Sequence, residues 1–423
     1  MTVSDVTYCG YVQILTEELI PAMGCTEPIA IAYAAAKARA VLGALPQEMT
    51  VEVSGNIIKN VKSVVVPHTG GLRGIVSAAA AGAVAGDAGR ELEVISDVTD
   101  KQIEDIKDYL QTAPIEVRHA DTPHIFDIMV TARCGEDTAF VRIAEHHTNL
   151  VCVKKNGAVL FEKPIRQTEN GLTDRSILSI ENIIEFADCV ELRDVEQVLH
   201  RQIAYNMAIA EDGLTQPYGA NIGKTLLKNH GSDLSYKMRA YAAAASDARM
   251  NGCEMPVIIN SGSGNQGITT SVPVVVYARE KGLTEDELLR GLCVANLVTI
   301  HLKTGIGRLS AYCGAVSAGC GAAAGIAYLQ GGRYHMIAHT VVNALAMDSG
   351  IVCDGAKASC AAKISSAIDA GLLGLEMYHS GNQFYGGDGL VKKGVENTIA
   401  TIGRLAQNGM GPTDKEIIRL MME

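Results

Sequence analysis

The sequence predicts an α+β protein, a mostly helical lobe with an inserted α/β lobe that contains a mainly antiparallel sheet. Three observations carry this. Helical periodicity with Gly stops runs from about residue 172 to the C-terminus, short β-rich runs fill 47 to 165, and the first 45 residues are again helical. A chain of 423 residues exceeds what one hydrophobic core usually holds. Residues 1–45 with 166–423 are therefore expected to form one helical domain carrying the site, and 46–165 an inserted α+β domain.

Residues 12–43 read as two helical stretches interrupted at IPAMGCTEP, where Pro21, Gly24 and Pro28 break the pattern. Thr26-Glu27-Pro28 has the form of a helix start, which sets Cys25 at or just before a helix N-terminus. Strands are expected at MTVEVSG, VKSVVVP, ELEVISD, IEVRHA, FDIMVTARC, TAFVRIAEHHT, LVCVKKNG and AVLFEKPI, with helices over about 71–88 and 101–113. Farther on, SDLSYKMRAYAAAASDARMNG and TEDELLRGLCVANLVTIHLKTG read as long helices ended by Gly. The run from Cys313 to Gly332 is rich in Ala and Gly and weakly hydrophobic, so it reads as a buried helix and not as a membrane span.

Composition narrows the function classes. Apolar residues make up 48% of the chain, yet there is no Trp and only five Phe, which implies closely packed helices with cores of small side chains. The formal charge is -11 and no Lys/Arg block occurs, so nucleic-acid binding by counterion release has no footprint. The first residues lack the basic start and apolar run of a secretory signal, which makes the cytoplasm the expected compartment. Eleven scattered cysteines argue against a disulfide framework and for free thiols or metal ligands. Size and apolar content point to a homodimer.

No C-x2-C occurs among those cysteines, but two C-x6-C pairs do, Cys313/Cys320 and Cys353/Cys360. Seven residues of unbroken helix rise about 10 Å, too far for two sulfurs to hold one compact cluster comfortably. In CDGAKASC the Asp354-Gly355 break folds Cys353 back toward Cys360. CGAVSAGC continues as helix, so one of Cys313 and Cys320 is the ligand and the other packs the core.

A second constellation is NSGSGNQG, 260–267, where three glycines among Ser, Asn and Gln precede a helical segment. Its backbone N–H groups and helix N-terminus suit a small carboxylate, and it matches neither the P-loop nor the dinucleotide fingerprint. SGNIIKN, 54–60, and PHTGGLRG, 67–74, put polar groups and Gly at the end of a strand or before a helix, and a plain turn is the favoured reading of each. In EHHTNLV the adjacent histidines point to opposite faces if extended, so they form no two-His metal site. Neither G-x-S-x-G nor H-E-x-x-H is present, and no pyridoxal fold pattern surrounds Lys303 or Lys357.

The segments PAMGCTEPIAIAYAAAKAR, SGNIIKN, HTN, SGSGNQGI, CDGAKASC and VENTIATIGRLAQNGMGPTDKEII together resemble one family over nearly the whole chain. That family is the L-cysteine desulfidases, pyridoxal-independent iron–sulfur enzymes related to the α chain of bacterial iron–sulfur L-serine dehydratases. The resemblance implies a [4Fe-4S] cluster held with C-x39-C-x6-C spacing by Cys313, Cys353 and Cys360, leaving Cys320 to packing and one iron open. It implies Cys25 as a base or a displaceable ligand.

The amino-acid substrate's carboxylate is then expected on Ser261, Ser263, Gly264, Asn265 and Gln266, with Ser54, Asn56, His147 and Asn149 as further contacts. Lys357 and Asp354, between two ligands, are expected to tune the cluster. The implied activity is degradation of L-cysteine to pyruvate, ammonia and sulfide. L-serine dehydration is the near alternative, and a non-catalytic iron–sulfur protein is the rival from another class.

Overall fold

The computed structural model describes residues 5–23, 26–165, 172–307 and 311–423. The fold is α+β, as expected. Along the chain come α1 (Val6–Glu18), β1 (Pro21–Met23), α2 (Thr26–Leu42), β2 (Glu48–Val53), α3 (Gly55–Val61), α4 (Gly74–Ala85) and α5 (Asp100–Thr112). Five strands follow, β3 (Ile115–His119), β4 (Asp127–Cys134), β5 (Asp137–Ala144), β6 (Leu150–Lys155) and β7 (Ala158–Glu162). The helical remainder is α6 (Ile180–Cys189), α7 (Glu196–Thr215), α8 (Ile222–His230), α9 (Leu234–Met250), the short β8 (Pro256–Ile258), α10 (Gly264–Lys281) and α11 (Glu285–Ile306). It closes with α12 (Gly314–Leu329), α13 (Tyr334–Asp348), α14 (Cys360–His379), α15 (Val395–Arg404) and α16 (Gly411–Met422).

The sheet runs in the order β3-β2-β4-β5-β6-β7. Only the β2–β3 pair is parallel, so the sheet is mainly antiparallel, as the alternating runs imply. Val51, Val130 and Val141 stand in register across β2, β4 and β5 and are fully buried, which fixes the face that meets the helices.

Two expected strands are absent. In VKSVVVP the chain turns after α3, buries Val64 and Val66, and makes one isolated bridge from Val65 to Arg73. ELEVISD forms a single 3-10 turn, Glu91–Glu93, because Glu91 takes φ 50, outside the extended region. SGNIIKN, expected at a strand end or before a helix and otherwise as a turn, follows β2 and contains the short helix α3, and the expected helix over 71–88 is trimmed to α4.

Buried apolar residues form two cores. One joins α1 to the helices from α6 to α15, and the other unites α2, α3, α4, α5 and the sheet, with Ile418 of α16 reaching into it. Residues 26–42 therefore pack with the α/β elements, where the sequence expected them among the C-terminal helices. Their Ala-rich face is the reason: α4 approaches so closely that a Cβ on Gly82 would overlap the backbone of Ala32.

Candidate functional site

A cavity of about 440 Å³ lies where the two cores meet. The helical side contributes Ser261, Ser263, Asn265 and Gln266 with Cys313, Cys353 and Cys360, and the α/β side contributes Asn56, Lys59 and His147.

The three cysteines are brought together by local structure. Tyr312 and Val352 form an antiparallel bridge, in which Cys313 N–H donates to the Ile351 carbonyl at 2.9 Å and Cys353 N–H to the Ala311 carbonyl at 2.6 Å. Cys313 then caps the N-terminus of α12, and Cys360 is the first residue of α14. Those helices sit close because a Cβ on Gly371 would fall 2.7 Å from the Gly319 carbonyl oxygen. Between Cys353 and Cys360 the chain reverses at Gly355, with φ +90, where the backbone lies against the Lys59 carbonyl of α3. The expected break after Asp354 is thus present. Cys320 is fully packed in the helical core, and burial raises its pKa.

The site's charges follow from this packing. Cys313 and Cys353 share a hydrogen bond, which raises the pKa of Cys313 and, aided by nearby Lys59, lowers that of Cys353. Burial raises Cys360. Lys59 is buried and pairs with Asp414 of α16, while Asp354 pairs with both Lys357 and Lys363. Lys357 and Asp354 therefore hold the loop between two cysteines.

The 260–263 segment is a two-residue turn, with Ser261 at φ 50 and Gly262 at φ 77 and paired backbone bonds between Asn260 and Ser263. Beneath it the buried Asn260 Nδ2 donates to Asn296 Oδ1 at 3.0 Å, and Asn296 Nδ2 donates to Gln202 Oε1 at 2.8 Å. Ser261 Oγ donates to Asn260 Oδ1 at 2.9 Å. Truncating Asn296 to Ala strands two buried amides, so it is expected to lower unfolding free energy by about 2 kcal/mol, measured by denaturant titration. Gln266 is only 5% exposed, and its Oε1 has no hydrogen-bond partner among the described residues.

His147 faces the cavity, 2.9 Å from Thr26 Oγ1 and edge-on to Phe126. Burial lowers its pKa and favours the neutral imidazole. His146 is exposed but also lines the cavity mouth.

Three expected substrate contacts do not line this space. Ser54 donates to the Ile125 carbonyl at 2.7 Å and faces a neighbouring cavity of about 710 Å³. Asn149 is turned to the Ala144 carbonyl at 2.7 Å, where it holds the β5–β6 turn. Gly264 starts α10 and packs against the Arg249 side chain. Cys25 lies outside the described residues. The sequence reading passed over Lys59 and Arg249 and did not place Lys303 in the site, yet all three line the cavity. The available signal for Lys303 was its spacing from Asn296 and Thr299 on a helix face that is otherwise apolar.

The donor set suits iron and sulfide. Among the described residues no three His, Cys, Asp or Glu groups converge closely enough for a single metal ion. Soft thiolates are the ligands iron–sulfur clusters take, and Cys313, Cys353 and Cys360 line one cavity.

A profile describing the serine dehydratase alpha chain matches residues 89–419. The chain belongs to the serine dehydratase alpha-chain family. Among the similar relatives of this family member, a UPF0597 protein of Desulfitobacterium hafniense is 58% identical over 419 residues, covering 99% of this chain and 97% of that protein. A UPF0597 protein of Treponema denticola is 50% identical and one of Lachnoclostridium phytofermentans 48%, each aligned over 98% of this chain and over 97% and 100% of their own lengths. Among the described residues, no helix is long and apolar enough to cross a membrane.

Proposed function

We propose that this chain is an iron–sulfur lyase that degrades L-cysteine to pyruvate, ammonia and sulfide. The observation that carries the reading is that Cys313, Cys353 and Cys360 line one cavity with the Ser261–Gln266 loop. The proposed role of the three cysteines is to hold a [4Fe-4S] cluster, which when bound supplies a Lewis acid for the leaving sulfur.

The protein's own groups do the rest. The proposed carboxylate subsite is the turn and helix start at Ser261, Ser263, Asn265 and Gln266, all four of which line the cavity. Asn56 and His147 bound the opposite wall. Cys25, immediately before Thr26 at the start of α2, is the proposed base, because a helix N-terminus favours a thiolate. It takes the Cα proton while the Cβ–S bond breaks with its electron pair leaving on sulfur. The aminoacrylate released tautomerises to an imine, and water hydrolyses it to pyruvate and ammonia. The reading takes the cytoplasm as the compartment and a homodimer as the assembly.

Dehydration of L-serine by the same steps is the second reading, favoured by the match to the serine dehydratase alpha chain. The deciding experiment loads the protein anaerobically with iron and sulfide and supplies L-cysteine and L-serine separately. Equal pyruvate and sulfide from cysteine is the expected result, and pyruvate from serine alone transfers the proposal to the dehydratase. No product from either amino acid, with the cluster demonstrably loaded, overturns both.

A further inference from the structure

Helix α11 carries a polar stripe through the helical core. Asn296 and Thr299 are fully buried, and Lys303, one and two turns farther on, is 8% exposed. The first two are satisfied: Asn296 bonds to Gln202 and Asn260, and Thr299 to Thr270 and the Ala295 carbonyl. Lys303 also lines the cavity, and its ammonium has no hydrogen-bond acceptor among the described residues.

The surrounding charges are engaged elsewhere. Lys59 is paired with Asp414 and Lys363 with Asp354, while Arg249 donates to Asn265 Oδ1 at 3.4 Å. Of the cavity's carboxylates, Glu145 holds His124 at 2.6 Å and Glu27 accepts from Asn60 at 3.3 Å. The Lys303 ammonium thus stands in the cavity on a mostly buried stem, with three donors open to water or to an anion that takes the water's place. Gln266, nine-tenths buried on the same cavity, also has its side-chain oxygen without a partner. A cavity-facing ammonium without a protein acceptor and a buried amide oxygen without a donor suit a ligand with a carboxylate beside an ammonium.

We propose that Lys303 binds the carboxylate of the amino-acid substrate and is a specificity residue of this site. This deepens the lyase reading and rests on it. The cluster-facing thiols are the competing anions, since Cys313 and Cys353 both lie near enough to influence Lys303. The test must therefore separate a carboxylate partner from a cluster partner.

The experiment uses the full chain, loaded anaerobically, as wild type, Lys303→Met and Lys303→Arg. Binding of L-cysteine, of unreactive L-alanine and of cysteamine, which lacks the carboxylate, is measured by calorimetry, with iron content and cluster absorption recorded beside it. Lys303→Met is expected to weaken L-cysteine and L-alanine about 30-fold, the size of a lost charged hydrogen bond, and cysteamine less than about 2-fold. Lys303→Arg should recover part of the loss, with iron content unchanged throughout. Equal weakening of cysteamine, a fall in iron content, or a loss confined to kcat with binding intact each overturns the assignment. A wild type that binds L-alanine through Lys303 yet eliminates nothing from cysteine or serine overturns the lyase reading and leaves this one standing. A wild type that binds no amino acid overturns both.

Discussion

Replacing Cys353 with Ser is expected to empty the cavity of iron and to reduce pyruvate formation more than 100-fold. The magnitude has a floor, because disturbing only the groups that support a metal ligand already costs about 10- to 100-fold in affinity or activity. Cys353 is also the thiol most biased toward the anion, through its bond with Cys313 and the nearby Lys59, so its loss removes the thiol most readily present as a thiolate. The informative control is Cys320→Ala. Cys320 has the same C-x6-C relation to Cys313 that Cys360 has to Cys353, yet it is 2% exposed inside the helical core and does not line the cavity. That variant should retain full iron and turnover, losing only about 1 kcal/mol of stability for a buried truncation. Iron per chain, measured after anaerobic loading, reads both variants. Iron lost from Cys320→Ala, or kept by Cys353→Ser, would reverse the assignment of the two pairs.

The contrast between these cysteine pairs also shows what was legible in the sequence. The Asp354-Gly355 break and the helical continuity of CGAVSAGC could be read from residue types alone, because Gly and Ala act on the local backbone. The same holds for strands β3 to β7, whose apolar residues alternate, and for the long helices ended by Gly. Local chemistry fails where tertiary contacts decide. VKSVVVP has the β-branched content of a strand, but among the described residues it is pinned only by the single bridge from Val65 to Arg73. Helix α2 looked like the other Ala-rich helices, and only its closeness to α4 shows which core it joins. The site follows the same division. The 260–267 loop announced itself by composition, whereas Lys59 and Lys303 come from helices more than two hundred residues apart in sequence and meet only because the two cores meet.

That junction can be broken at one backbone position. Gly355→Ala is expected to lower unfolding free energy by about 3 kcal/mol or more and to release iron, although no ligand is touched. Two costs combine. A φ of +90 lies in the region that an L side chain enters only at a cost of about 1–2 kcal/mol. The new Cβ would also overlap the Lys59 carbonyl, which is backbone in α3 and cannot swing aside as a flexible side-chain tip could. Either the 353–360 loop lifts off α3 or α3 moves, and α3 is tied through buried Lys59 to Asp414 of α16. Lifting the loop pulls on Cys353, which is held beside Cys313 by its N–H bond to the Ala311 carbonyl. Gly381→Ala isolates the backbone cost: its φ is +75 with open space around the added methyl, so about 1 kcal/mol should be lost and iron retained. Denaturation midpoints and iron content of the two variants, taken together, test the contact. If Gly355→Ala behaves like Gly381→Ala in both, the loop is not held against α3 and the α/β lobe does not shape the cysteine site.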